Sequence, residues 1–202
     1  MKGLFFKDIM NLKQQAKIYF IIIALWGVVG FINRDGMFFG MCMILFTIMI
    51  PMVAMSYDDK SKWDRYALTM PVSRRDMVLS KYLLALAFAA FALLITFLFN
   101  YCISLNFSES LTTSLTFFLI GMVVSSITLP IFFKFGIEKG RFIMMAIILI
   151  PTVISLIASK LNLTLPNGAA LQRLLPFAPF LGVLCIALSI FLSIRIYTKK
   201  EF

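Results

Sequence analysis

The sequence contains no histidine. Without an imidazole, the chain cannot form Ser–His or Cys–His nucleophile pairs, and most protein zinc sites are excluded as well. Its three cysteines lie in separate apolar runs with no CxxC spacing, which indicates small buried hydrophobes and not a disulfide framework or a metal site. We therefore expect no catalytic residue and no metal site in this chain.

A phosphate-binding loop is missing too. Gly136 and Gly140 flank a short charged segment, but the Lys-Ser or Lys-Thr pair of a P-loop does not follow. Nor does an Asp, Glu, Lys or Arg lie deep in any long apolar run, where proton-coupled carriers usually place a charged residue. The chain therefore does not bind ATP through a P-loop of its own, and a proton-driven carrier or an intramembrane hydrolase is disfavoured. A carrier that binds Na⁺ through backbone carbonyls stays open.

Charge is scarce, and long apolar runs take its place. Charged residues make up 14% of the chain and hydrophobic ones 61%, against about 25% and about 45–50% in soluble domains. The uncharged runs are Ile18–Asn33, Gly36–Tyr57, Tyr82–Ser108, Ser110–Phe133, Phe142–Ser159 and Leu174–Ile194. A membrane-spanning helix needs about 20 residues, and the two shortest runs reach that length if Lys17 and Arg141 extend to the headgroups. The sequence predicts an all-α integral membrane protein with six spans.

The basic residues are distributed very unevenly between alternate connections. Sixteen lie on one side of the predicted membrane and three on the other. The three are Arg34, Lys160 and Arg173; the sixteen fall in the first 17 residues, in 60–81, in 134–141 and in 195–200. By the positive-inside rule, both termini and the charged connection after the second span are cytosolic. The net charge of +10 then reflects topology and attraction to anionic lipid, and needs no nucleic-acid partner.

Residues 1–16 have the pattern of an amphipathic helix. Apolar residues recur at helical spacing on one side and polar ones on the other. The apolar positions are Leu4, Phe5, Ile9, Leu12 and Ala16, and the polar ones are Lys7, Asn11 and Gln14. Such a helix lies flat at the inner membrane interface. The pattern fits a simple anchor as well as it fits a functional element.

The connection after the second span holds ten of the 28 charged residues, between Asp58 and Lys81. Two capping boxes of the form S-x-x-D begin at Ser61 and Ser73, and each predicts the start of a helix. Pro71 disfavours helix just before it and separates the two starts. We therefore expect a short helix over about 62–69 and a third span that opens near Arg74.

The short helix is predicted to have two different faces. Lys62, Tyr66 and Thr69 share one face, and Trp63 and Ala67 share another. A docking role is the preferred interpretation of the two aromatic residues. For the flanking charges a simpler interpretation is preferred. Arg74, Arg75 and Lys81 are interpreted as anchors on the cytosolic side, and the pair Asp58–Asp59 as a solvated face, with a salt bridge to a partner protein as the alternative.

The stretch "SKWDRYALTMPVSRRDMVLSKYL" resembles the first cytosolic loop of bacterial type-two ABC transporter permeases. It is most similar to the small six-span permeases of phenol-soluble-modulin exporters. The similarity rests on Trp63, Tyr66, the segment Met70-Pro71-Val72-Ser73-Arg74 and the segment Ser80-Lys81-Tyr82. A less specific likeness extends over the chain: an N-terminal amphipathic helix, six spans and an outer loop before the last span.

The resemblance implies a partner and a mechanism. In that family the short helix is a coupling helix that docks into a groove of a separate cytosolic ATPase, which binds the ATP and magnesium. Two permeases and two ATPases form the usual complex. The resemblance assigns ATPase coupling to Lys62, Trp63, Asp64, Arg65, Tyr66, Thr69 and Pro71. It implies an exporter in the bacterial plasma membrane, and the Phe- and Met-rich spans favour an amphipathic peptide or lipid-like cargo.

The predicted organisation is one transmembrane permease domain over residues 1–202. Its segments are the interfacial helix 1–16, spans one and two in 17–56, the cytosolic coupling loop 57–80, spans three and four in 81–134, span five in 141–159, an extracellular loop 160–176 and span six in 177–196. The outer loop is interpreted as a partly embedded cap or a plain loop. Two other functions stay open: a non-transporting sensor or immunity-type partner of an ATPase, and a secondary carrier.

Overall fold

The computed structural model describes residues 2–69, 72–160 and 178–199, apart from the side chains at 2, 64, 65, 68, 147, 148, 150–160, 178 and 179. These residues form helices and no strand. The helices are α1 (Lys2–Lys13), α2 (Ala16–Asn33), α3 (Gly36–Lys60), α4 (Trp63–Thr69), α5 (Arg74–Ser104), α6 (Phe107–Lys160) and α7 (Ala178–Thr198). Five of them, α2, α3, α5, α6 and α7, are long and apolar enough to cross a membrane. The prediction of an all-helical membrane protein is confirmed for the described part of the chain.

The predicted fourth and fifth runs belong to one element, α6, which is broken at Gly136. This residue has φ 76° and ψ 175°, a conformation that is essentially restricted to glycine. A Cβ atom on Gly140 would collide with the ring of Phe132. In a straight helix these two positions would be about 12 Å apart along the axis, so the chain turns back at Gly136. The predicted connection between 134 and 141 is therefore helical apart from this single break, and the predicted outer loop 160–176 lies almost wholly outside the described residues.

Short turns join α2 to α3 and α5 to α6. After α2, Arg34 adopts a left-handed conformation with φ 50°, and the Asp35 carboxylate then accepts hydrogen bonds from the amides of Met37 and Phe38. This cap satisfies two backbone donors at the start of α3. After α5, Leu105 is left-handed in the same way, with φ 55°. Both turns hold their helices side by side.

One end of the bundle gathers the charged segments, and we call it the loop end. The Arg74 guanidinium, at the start of α5, donates to the carbonyl oxygen of Thr198 in α7 at 2.7 Å. The Tyr197 ring meets that of Phe133, close to the break in α6, with 5.5 Å between centroids. The side chain of Lys81 in α5 reaches Asp8 in α1. The four segments that hold sixteen of the nineteen basic residues therefore lie together, as the charge distribution predicts.

A small polar group holds three of the spanning helices together. The Tyr82 hydroxyl of α5 is hydrogen-bonded to both Ser189 and Ser193 of α7, and Ser189 donates to the carbonyl oxygen of Ser126 in α6. The side chains of Tyr82, Ser189 and Ser193 are all buried. Hydrogen bonds between membrane helices are worth about 0.6 kcal/mol on average, so this group fixes alignment more than it adds stability.

Candidate functional site

Four charged side chains meet at the loop end, and we call them the charge cluster: Lys7, Asp8, Asp58 and Lys81. They come from three helices, α1, α3 and α5. Asp8 is completely buried, and Asp58 and Lys81 are buried as well. Leu4 and Leu12 lie one turn either side of Asp8 and are also buried, so α1 packs against the bundle with a face that contains one acid.

Each lysine of the charge cluster bridges both carboxylates. The Lys81 ammonium lies 2.8 Å from Asp8 Oδ2 and 2.6 Å from Asp58 Oδ2. The Lys7 ammonium lies 2.6 Å from Asp58 Oδ1 and 3.3 Å from Asp8 Oδ1. The four charges therefore form a closed and neutral ring. Because an unpaired charge is very costly to bury, the ring requires α1, α3 and α5 to stay in register.

Trp63, the first residue of α4, connects the short helix to the charge cluster. The Lys7 ammonium lies 4.3 Å from the centroid of the Trp63 ring, a cation–π contact worth about 0.5–2 kcal/mol. The indole nitrogen of Trp63 is buried and has no hydrogen-bond partner among the described residues. Trp63 therefore links α4 to the charge cluster through Lys7.

The predicted division into covered and exposed residues is confirmed, although Lys62 lies just before α4 and not in it. Ala67 is completely buried, and Trp63 packs against a buried apolar cluster that includes Met77 and Phe132. Tyr66, by contrast, is 64% exposed. Lys62 and Thr69 are exposed with Tyr66, and these three form what we call the outer face of α4. The short helix thus holds the bundle with one side and offers an aromatic ring on the other.

Of the seven predicted coupling residues, the structure describes the side chains of Lys62, Trp63, Tyr66 and Thr69. Asp64 and Arg65 belong to α4, but their side chains lie outside the described residues, and so does the whole of Pro71. The structure separates the two aromatic residues, since Trp63 points inward and only Tyr66 lies on the outer face. The sequence predicts docking for both, because residue spacing alone does not reveal which side of a short helix is covered.

One of the two predicted capping boxes is correct. The Ser73 hydroxyl accepts a hydrogen bond from the amide of Asp76 at 3.1 Å, and α5 begins at Arg74 as expected. Ser61 instead ends α3, and its hydroxyl donates to the carbonyl oxygen of Tyr57 at 2.8 Å. Lys62 has a left-handed φ of 52°, so α4 begins one residue later than predicted, at Trp63.

Two interpretations of the flanking charges are wrong. Asp58 is not part of a solvated face, because both of its oxygens are paired with lysines in the ring. Lys81 is not a simple anchor at the headgroups, because it is buried between two carboxylates. Asp8 was missed altogether. Its signal is present in the sequence, since Leu4, Asp8 and Leu12 share one helical face.

The predicted apolar face of the N-terminal helix is correct only in part. Leu4 and Leu12 are buried, but Ile9 is 39% exposed, and α1 ends at Lys13 before Ala16 is reached. The buried side of α1 faces protein and not lipid, because it carries Asp8 to the charge cluster. The helix exists as predicted, but its orientation is set by an ion pair that hydropathy does not reveal.

The comparison with family models agrees with the sequence and the geometry. Residues 3–198 match the model described as "ABC-2 family transporter protein". No curated protein matches the chain significantly. No solved structure does so either. The matched span takes in the charge cluster, α4 and all five candidate membrane helices. A multi-pass membrane protein with this match is a permease component of a transporter, of a kind that works with an ATPase, and the chain belongs to the ABC-2 transporter family.

Proposed function

We propose that the chain is the transmembrane permease subunit of an ATP-driven exporter. In this proposal both termini and α4 lie on the cytosolic side of a bacterial plasma membrane, which the chain crosses six times, the sixth crossing being the part of α6 beyond Gly136. The cytosolic assignment rests on the sixteen basic residues that gather at the loop end. The separate ATPase subunit binds the ATP and magnesium.

The observation that carries this proposal is the two-sided contact of α4. Its outer face exposes Tyr66 to a partner, while its inner face holds Trp63 under Lys7 and thereby contacts the charge cluster. A partner that moves the outer face changes the packing of three helices at once. ATP binding drives export only if the ATPase has different affinities for two arrangements of these helices.

We also propose an assembly of two permeases and two ATPases. The support is the exposure of α2. Only 6% of its most apolar stretch is buried within one chain, whereas 61% of the corresponding stretch of α3 is buried. The exposed side of α2 carries large apolar residues such as Ile21, Leu25 and Val28. The two glycines suggested by the sequence for close approach, Gly27 and Gly30, face the chain's own interior. The family resemblance implies that the first and fifth predicted spans of the two copies meet at the two-fold axis.

For the cargo, we propose an amphipathic peptide or another lipid-like molecule. Apart from the charge cluster at the loop end, the buried polar side chains of the described helices are mostly serines and threonines, and many of these hydroxyls are hydrogen-bonded to backbone carbonyls. Such an interior offers few free polar groups to a sugar or an ion. Phenylalanine and methionine, 22 and 13 in number, offer adaptable apolar contacts instead.

The test is to co-express the tagged chain with the ABC ATPases of its source organism and to measure ATP hydrolysis of the purified complex in proteoliposomes. We expect the ATPase to co-purify at one copy per permease and its hydrolysis to depend on the permease. A complex in which the permease binds but never changes hydrolysis, whatever peptide is added, would favour the non-transporting partner. Absence of any bound ATPase would refute the proposal.

A further inference from the structure

An apolar groove runs between α1, α2, α3 and α5. Its volume is about 440 Å³. Binding sites for small molecules have volumes of roughly 300–1,000 Å³, so the groove is large enough for a ligand. Phe20 and Phe91 at its edges are 74% and 52% exposed, so the groove opens sideways toward the surrounding lipid.

Apart from one lysine, the walls of the groove offer no free hydrogen-bond donor to a ligand. Its two hydroxyl-bearing residues already use their donors: Thr47 donates to the Met43 carbonyl oxygen at 3.1 Å, and Tyr19 donates to Gln15 Oε1 at 2.9 Å. The remaining wall is aliphatic and aromatic. The part of a ligand that lies inside the groove must therefore be apolar.

The groove has a single charged residue in its lining, Lys13. This lysine ends α1, and α2 begins three residues later at Ala16. The 18 residues of α2 span about 27 Å, close to the hydrocarbon thickness of about 30 Å, so Lys13 lies at the membrane interface when α2 crosses the membrane. Lipid phosphates occupy this level.

We propose that the groove binds one anionic phospholipid, with an acyl chain against the apolar wall and the phosphate on Lys13. An apolar groove that ends in one cation at the interface matches the two parts of such a lipid. Basic pockets between membrane helices bind anionic headgroups in this manner. A second copy of the chain fits less well, because it would have to bring an acidic group to Lys13 across an otherwise apolar contact.

Lipid binding is measured on the purified chain alone, so its outcome is independent of ATPase coupling. Native mass spectrometry of the chain in detergent would follow titration with phosphatidylglycerol, and with phosphatidylcholine of the same acyl chains. We expect one retained lipid per chain, with phosphatidylglycerol preferred. Lys13→Gln should weaken phosphatidylglycerol binding about five-fold and remove the preference. Lys134→Gln, which changes a lysine outside the groove, should leave both unchanged.

A substitution inside the groove tests the position of the acyl chain. Ala92→Phe fills the groove and should reduce retention of both lipids at least ten-fold. Ala90→Phe is the matched control, because Ala90 is exposed on the same helix but does not line the groove. Equal lipid retention in these two variants, or an unchanged preference in Lys13→Gln, would overturn the proposal. If Ala92→Phe shifts the chain from dimer to monomer and leaves lipid retention unchanged, the groove binds a second copy of the chain. That result would also overturn the lipid proposal.

Discussion

The charge cluster and the outer face of α4 lie at the same end of the bundle but differ in their surroundings. In the cluster, Asp8 is completely buried and each charge is neutralised by partners on other helices. On the outer face, Lys62 and Tyr66 are exposed. Trp63 joins the two regions, because it sits on α4 and touches Lys7.

Because the two regions differ in burial, substitutions in them should affect different properties: folding stability in one case and binding to the ATPase in the other. Removing one partner of a buried ion pair leaves a charge without compensation, which costs about 3–5 kcal/mol. Removing an exposed group costs little folding free energy but removes whatever that group binds in a partner. We therefore expect changes in the charge cluster to alter stability, and changes on the outer face to alter association with the ATPase.

The largest effect should come from Lys81→Met, which leaves Asp8 and Asp58 to share Lys7 alone. We expect a loss of about 3–5 kcal/mol in the free energy of unfolding, measured by denaturation in detergent micelles. The double variant Lys81→Met with Asp8→Leu restores charge balance and should recover part of the loss. A double variant no more stable than the single one would show that the ring does not act as a unit.

A second effect should come from Tyr66→Ala. Tyr66 is the one aromatic side chain on the outer face, and truncation of such residues at the centre of an interface costs about 2 kcal/mol or more. We expect about 30-fold weaker association with the ATPase in a pull-down titration, with unchanged thermal stability of the permease. Equal association of Tyr66→Ala and the unaltered chain would remove Tyr66 from the interface.

The smallest effect should come from Asp59→Asn. Asp59 follows the buried Asp58 in the sequence but is itself exposed, so the two carboxylates allow a buried and an exposed charge to be compared. Charges at the rim of an interface act mainly on the association rate. We expect Asp59→Asn to keep most of the ATPase stimulation. Any change in its association rate with the ATPase should disappear at high salt, which surface plasmon resonance with the permease in nanodiscs would measure. A salt-independent loss of coupling would place Asp59 inside the contact.

The sequence predicts the elements of the fold better than it predicts their neighbours. The most apolar stretches of α2 and α3 have nearly the same mean hydropathy, 1.9 and 2.3, yet 6% of the first and 61% of the second is buried within the chain. Hydropathy reports transfer from water, and lipid and protein interior are both apolar, so it does not distinguish these environments. The same limit explains the misplaced face of α1.

The sequence predicts those parts of the candidate site whose structure depends on residues close together in the chain. The Ser73 cap and the two faces of α4 follow from residues a few positions apart, so sequence alone was sufficient for them. The charge cluster depends on contacts between residues as distant as Asp8 and Lys81. A single sequence holds no record of such pairing, and charges close to the ends of apolar runs look like ordinary anchors.

The most direct test of the account is ATP hydrolysis in proteoliposomes at limiting and at saturating ATPase, for Tyr66→Ala and Trp63→Ala side by side. If the outer face docks and the inner face transmits, Tyr66→Ala loses stimulation at limiting ATPase and regains it at saturation, because only its affinity is reduced. Trp63→Ala binds the ATPase but stays unstimulated at both concentrations, since α4 no longer contacts Lys7. Full stimulation of Trp63→Ala at saturating ATPase, with Lys7 left free of its ring contact, would contradict the account.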